Sequence, residues 1–158
     1  NILAIDPGLK GGWALNDEDT NNGITNIATG VMPLMGHMID VWPLAELIRE
    51  YDVEKVYVEA VHSMPAQGVC SVFKFGTGFG QLLGLCQTLQ VPYQLVTPQA
   101  WKKEVLAGTP KDKNAAIETA HKLFPAVNLI QKGCRTPHDG VADALMILRY
   151  AMIKEGLI

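Results

Sequence analysis

The chain opens on Ile2-Leu3-Ala4-Ile5, a short apolar run that ends on Asp6 and is followed at once by Pro7-Gly8. Consecutive apolar residues stopped by a turn describe a strand buried on both faces, the central strand of a sheet covered by helices. Such a strand delivers Asp6 to the point where the chain leaves the sheet. A carboxylate there is costly unless a cation or a metal pairs with it. A turn or helix-capping Asp would look the same in this segment alone, so the weight falls on what the rest of the chain brings to it.

After the tight turn at 7–12, Trp13-Ala14-Leu15 starts a second strand, 16–23 reads as a polar hairpin turn, and 24–31 as a third strand. These make an antiparallel meander. A helix over 40–51, with Leu44, Leu47 and Ile48 on its apolar side, leads to a strand over 55–60 that carries Glu59 at its end. A helix between these strands makes a right-handed crossover the default, so the second acid-bearing strand runs parallel to the first.

A long helical region over 68–89 follows, interrupted by Gly76, Gly78, Gly80 and Gly84. Each glycine costs roughly 1 kcal/mol against alanine in a helix, which points to something packed closely on it: a partner helix, a second subunit or a sugar–phosphate backbone. Phe73, Phe75, Phe79 and Trp101 read as core or interface. A strand over 93–97, a helix from Pro98, a helix over 111–123 and a closing helix over 137–152 complete the chain. In the closing helix Val141, Leu145, Leu148 and Met152 repeat on one face.

Asp139 and Asp143 are four apart in that helix, one turn above the other. The residue four beyond Asp143 is Ile147, not a base, so no cation on the helix surface accounts for the pair. With Asp6 and Glu59 they form a set of four acids without Cys or His. Oxygen-only donors suit Mg²⁺ or Mn²⁺, and two such ions serve phosphodiester hydrolysis or phosphoryl transfer. His138 reads as an exposed cap residue, with a base acting behind the acids as the alternative.

A length of 158 residues and 48% hydrophobic content fit one domain with one core. No segment reads as long and apolar enough to span a membrane. No signal-like segment opens the chain, and Cys70, Cys86 and Cys134 lack metal-ligand spacing. The expectation is a soluble, intracellular protein with reduced thiols, whether of phage, bacterial or organelle origin. Net charge is −3, but Lys102, Lys103, Lys111, Lys113, Lys122, Lys132 and Arg135 gather in one later third.

Taken in order, Ala4-Ile5-Asp6-Pro7-Gly8, Val56-Tyr57-Val58-Glu59, Ser71-Val72-Phe73-Lys74-Phe75-Gly76, Thr97-Pro98-Gln99-Ala100-Trp101-Lys102 and His138-Asp139-Gly140-Val141-Ala142-Asp143-Ala144-Leu145 resemble the RuvC family of Holliday junction resolvases across the whole chain. The resemblance implies a ribonuclease-H-like α/β fold, a mixed five-stranded sheet flanked by helices. It implies a homodimer that binds four-way DNA junctions and places paired, symmetric nicks leaving 5′-phosphate and 3′-hydroxyl ends.

By the same resemblance Asp6 would bridge two Mg²⁺ or Mn²⁺ ions, Glu59 and Asp143 would ligate them, and Asp139 would take the remaining acidic position. Lys102 and Lys113 would support the phosphate. Lys10, His62, Lys74, Lys103, Lys111 and Arg135 are the expected DNA contacts. The chain departs from the bacterial pattern in the four-residue spacing of its last two acids, which resembles the phage and chloroplast branch. It departs again at His62, where that pattern has a phenylalanine. Rival readings are a same-fold nuclease for RNA–DNA hybrids, flaps or forks, a nucleotide-binding domain of the actin or sugar-kinase type, and a non-catalytic junction binder.

Overall fold

The computed structural model describes residues 1–19, 24–60, 68–110, 112 and 114–158. Strands β1 (Ile2–Asp6), β2 (Gly12–Asp19) and β3 (Ile24–Val31) form the expected meander, followed by a small hairpin of β4 (Leu34–Met35) and β5 (Met38–Ile39). Helix α1 (Trp42–Glu50) leads to β6 (Lys55–Glu59), α2 (Val69–Thr88) to β7 (Tyr93–Val96). Helices α3 (Pro98–Val105), α4 (Ala115–Leu123) and α5 (Asp139–Lys154) close the chain. The main sheet has five strands in the order β3-β2-β1-β6-β7, with β1, β6 and β7 parallel and β2 and β3 antiparallel. This is the mixed sheet flanked by helices of a ribonuclease-H-like fold.

Alternation along β1 divides the core in two. Ile2 and Ala4 face α5, α3 and α4, in one cluster with Tyr57, Trp101 and Ala120. Leu3 and Ile5 face α1 and α2, in a second cluster with Leu44, Ile48, Leu82 and Cys86. Burial on both sides is why β1 and β6 read as unbroken apolar runs. Helix α5 is buried from Gly140 to Met152 save at Asp143, Arg149 and Tyr150. A carboxylate in the middle of that stretch is a placed group, because nothing in the packing calls for it.

Helix α5 is held at both ends. At its start the backbones of Gly11 and Gly140 form a β-bridge, and a Cβ on Gly12 would lie 2.9 Å from the Gly140 carbonyl. A Cβ on Gly140 would fall 2.6 Å from the Gly11 Cα, so only glycine lets helix and turn touch. At its far end Lys55 Nζ donates to Glu155 Oε1 at 2.6 Å, the Tyr57 hydroxyl donates to the same oxygen, and Lys154 Nζ donates to Glu104 Oε2 at 3.1 Å.

Two expectations change and one divides. The polar segment from Asn16 is not turn at its start: β2 continues through Asp19, because Asn16 is buried and its Oδ1 accepts from the Ile2 amide at 2.6 Å. The glycines of α2 divide: a Cβ on Gly78 would meet Ile39 at 2.9 Å, while among the described residues nothing lies within 4 Å of one on Gly76, Gly80 or Gly84, for which the expected second subunit or sugar–phosphate backbone stays open. Finally, α2 is long and apolar enough to cross a membrane by length and composition, against the expectation that no segment is. Its inner face, with Gly78, Leu82, Leu85 and Cys86, packs on the sheet, while only 17% of its most apolar window is buried.

The backbone contact at α5 gives the first prediction. Gly140→Ala forces turn and helix apart and costs about 1–3 kcal/mol, read as a lower urea midpoint with an unchanged slope. Unchanged stability would mean that the contact yields freely.

Candidate active site

Two strand ends and two helix starts meet at the C-terminal side of the central strands β1 and β6. Register pairs Ile5 with Val58 and Glu59 with Val96, so Asp6 and Glu59 leave adjacent strands side by side, and α3 starts next to them. Thr97 caps α3, its Oγ1 accepting from the Ala100 amide at 3.3 Å, with Pro98 in the first turn. His138 caps α5, its Nδ1 accepting from the Val141 amide at 3.3 Å. The expected cap role of His138 is therefore observed, on a half-buried ring. The bridge between Gly11 and Gly140 sets the first turn of α5, with Asp139 and Asp143, against the turn that follows Asp6.

The acids act on one another. Burial, then the neighbouring Glu59 and Asp143 carboxylates, push the Asp6 pKa from 3.8 up to about 8 against the pull of Lys102. Burial also raises Asp143 to about 6, with Lys102 opposing and Glu59 and Asp139 adding to the rise. Glu59 is raised by burial and held down by the Trp101 indole and by Lys102. Lys102 is thus the cation common to Asp6, Glu59 and Asp143. The sequence showed no neutralising partner for these acids, because Lys102 reaches them from another helix.

Among the described residues, no three carboxylate, imidazole or thiol groups stand close enough to hold a metal ion together. The acids are within Coulombic range of one another, and Lys102 is the charge that three of them share. Their chemistry nonetheless fits a hard divalent cation: oxygen donors only, three of them in surroundings that disfavour their charge.

Beside the acids lies a groove of about 820 Å³, lined by Lys102, Lys103, Leu106, Ile117, Asp139 and Asp143 among others. The structure therefore brings Asp6, Glu59, Asp139, Asp143, Lys102 and Lys103 to one place. Lys10 is exposed in the turn whose backbone abuts Gly140. Lys74 lines a separate cavity of about 260 Å³ with Leu9, His37 and Phe73. Arg135 is exposed in the segment before α5. His62, Lys111 and Lys113 lie outside the described residues.

Two features went unread in the sequence. Trp101 is fully buried, as its reading as core expects, but the donation of its indole Nε1 to Glu59 Oε1 at 2.8 Å is one of them. A large side chain with one obligate donor, directly before a Lys on the helix after β7, was the available signal. The glycines at 11, 12 and 140 are the other, legible only once α5 and the first turn are known to touch.

No family model matches the chain, and no curated protein matches it by sequence. Its structure is similar to that of Thermus thermophilus RuvC, with a TM-score of 0.63 and 18% identity over 98% of this chain and 96% of that one. It is similar also to T. thermophilus RuvC in complex with a Holliday junction substrate, with a TM-score of 0.59 and 18% identity over 98% and 95% of the two chains. The yeast mitochondrial Holliday junction resolvase Ydc2 is a third, with a TM-score of 0.56 and 13% identity over 99% and 84%. At these identities the likeness is one of fold, and the expected ribonuclease-H-like architecture is borne out.

The raised acids give the second prediction. A carboxyl whose folded pKa lies above its unfolded value stabilises the fold below the unfolded pKa, and that contribution is lost as pH rises through the folded one. For Asp6 the window runs from about 4 to about 8. Without divalent metal, Asp6→Asn should therefore gain in Tm over wild type as pH rises through this window, by about 2–4 °C per kcal/mol. A difference that stays flat with pH would show that Asp6 is not under this stress.

Proposed function

We propose that this chain is a metal-dependent, structure-selective endodeoxyribonuclease that resolves four-way DNA junctions by paired, symmetric nicks leaving 5′-phosphate and 3′-hydroxyl ends. The observation that carries the reading is the meeting of Asp6, Glu59 and Asp143 around Lys102 at the C-terminal ends of β1 and β6, with Asp139 beside Asp143. It is supported by a fold shared end to end with a RuvC bound to a Holliday junction substrate. The chain is read as one nuclease domain, acting inside a cell in DNA recombination and repair.

Asp6, Glu59 and Asp143, with Asp139 at the groove, would hold two Mg²⁺ or Mn²⁺ ions, which supply water activation and stabilise the leaving 3′ oxygen. The chain's own groups do the rest. Partial burial of Asp6 and Glu59 at the strand ends lowers the effective dielectric around the carboxylates, which strengthens their hold on a bound cation. Lys102 places positive charge beside the acids, where a phosphodiester gains negative charge, and Lys113 is assigned the same role by the family resemblance alone. Lys103 extends that positive rim along the groove, and Lys10, His62, Lys74, Lys111 and Arg135 are assigned to the DNA backbone and branch point. Exposed lysines beside the acids answer the net charge of −3, because local potential governs DNA approach.

Two coordinated cuts need two sites related by a two-fold axis, so the active form is a homodimer. The outer face of α2 is its interface in this reading. Val69 is 84% and Phe73 74% exposed, and the open glycines 76, 80 and 84 allow another backbone to come close. An apolar helix face of this kind is covered by protein here, and no membrane is invoked.

A fixed, end-labelled four-way junction in Mg²⁺, run beside fork, nicked and linear duplexes and an RNA–DNA hybrid, tests the reading. Paired nicks at symmetry-related positions are expected in the junction alone, with Lys102→Ala slower by about 10²–10³ and Asp6→Asn inactive yet still junction-bound. Equal cutting of forks or hybrids would replace it with a broader nuclease of the same fold, and binding without cutting would leave a junction-binding module. For the interface, Phe73→Asp should convert a dimer to a monomer in light scattering. A dimer that survives it would move the interface off α2.

A further inference from the structure

Trp101 sits between the two charged partners of the site. Its side chain is fully buried, its indole Nε1 donates to Glu59 Oε1 at 2.8 Å, and Lys102 Nζ lies 5.0 Å from the centroid of its ring. A buried indole N–H needs an acceptor, and here the acceptor is one of the acids. An ammonium against the ring face is attracted by the ring quadrupole. Trp101 is itself fixed by its cluster of Ala4, Tyr57, Ala116 and Val141, and by the Thr97 cap at the start of α3. Register between Glu59 and Val96 puts β6 and the strand leading to α3 in hydrogen-bonding contact, so the Trp101–Glu59 link spans two anchored elements.

We infer that Trp101 is a positioning residue that fixes the Glu59 carboxylate through its indole N–H and seats the Lys102 ammonium on its ring face. One rigid, buried group thereby sets the separation between an acid that holds cation and the base that balances the acids. A carboxylate whose second oxygen is already oriented loses less freedom when it takes up a metal, which is how groups behind metal ligands come to govern affinity. The ring cannot follow either partner without disturbing the core, so the spacing is a property of the fold. The inference rests on the reading of Glu59 as a metal ligand.

The two functions of the indole separate by substitution. Trp101→Phe keeps a ring face and most of the volume but removes the N–H, and Trp101→Leu removes both. The readout is the Mn²⁺ concentration at the midpoint of the metal-induced rise in Tm, together with the cleavage rate at saturating Mn²⁺. Trp101→Phe should raise the Mn²⁺ midpoint by about 10–100-fold and leave the saturated rate close to wild type. Trp101→Leu should lower the saturated rate further. A purely structural tryptophan would lower the metal-free Tm of Trp101→Phe with the Mn²⁺ midpoint unmoved, and that result overturns the inference. Should Trp101→Leu fail to fold, the phenylalanine midpoint still decides. A wild type stabilised by Mn²⁺ that cuts no branched DNA would remove the nuclease reading while the midpoint comparison stands. A wild type that cuts junctions, with equal midpoints for wild type and Trp101→Phe, removes this inference alone. A wild type that gains nothing from Mn²⁺ overturns it outright.

Discussion

The site exists because α5 touches the turn after β1 backbone to backbone. Gly11 and Gly140 bridge, and Gly12 leaves no room for a side chain between them. That contact turns a buried core helix into the wall that faces Asp6. Without it, a layer of side chains would separate Asp139 and Asp143 from the strand ends, and Asp143 would not act on Asp6 as it does. The far end of α5 is pinned independently by Glu155, which accepts from Lys55 and Tyr57. The helix is clamped along its length, and its N-terminal turn has little freedom to relieve the crowding of the acids.

The crowding is the physical cost of the arrangement. Asp6 is pushed up to about 8 by burial and by its carboxylate neighbours, and Asp143 to about 6. A protein with no use for a cation there gains nothing from keeping these groups buried, since a neutral residue would pack as well without the penalty. Perturbed acids converging beside a groove are a functional signature for that reason. Lys102 relieves part of the stress, and the Trp101 indole holds Glu59 while seating that lysine. The fold carries the same logic through every layer: apolar strands place acids at their C-terminal ends, and helices bring the cation and the second pair.

Much of this was legible in the sequence, for identifiable reasons. Ile2–Asp6 and Lys55–Glu59 announce themselves because a strand buried on both faces is uniformly apolar until it ends, so the acid marks the end. Asp139 and Asp143 announce themselves by helical spacing. What stayed hidden depends on contacts between distant segments. The partnership of Lys102 with three acids, the buried donor of Trp101 and the close approach of Gly12 to Gly140 have no local pattern. The outer face of α2 is legible only in part: among the described residues Gly78 alone of its four glycines meets a neighbour, and the same apolar composition makes the helix long and apolar enough to span a bilayer, which went unread.

The central claim is that four separated acids converge in order to share divalent cations. Locating Mn²⁺ by its anomalous scattering in crystals of the protein tests it most directly. The account predicts anomalous density between Asp6, Glu59 and Asp143, with the carboxylates drawn together around it and Asp139 at its edge. Crystals grown in excess Mn²⁺ with these carboxylates still apart and no density among them would contradict it.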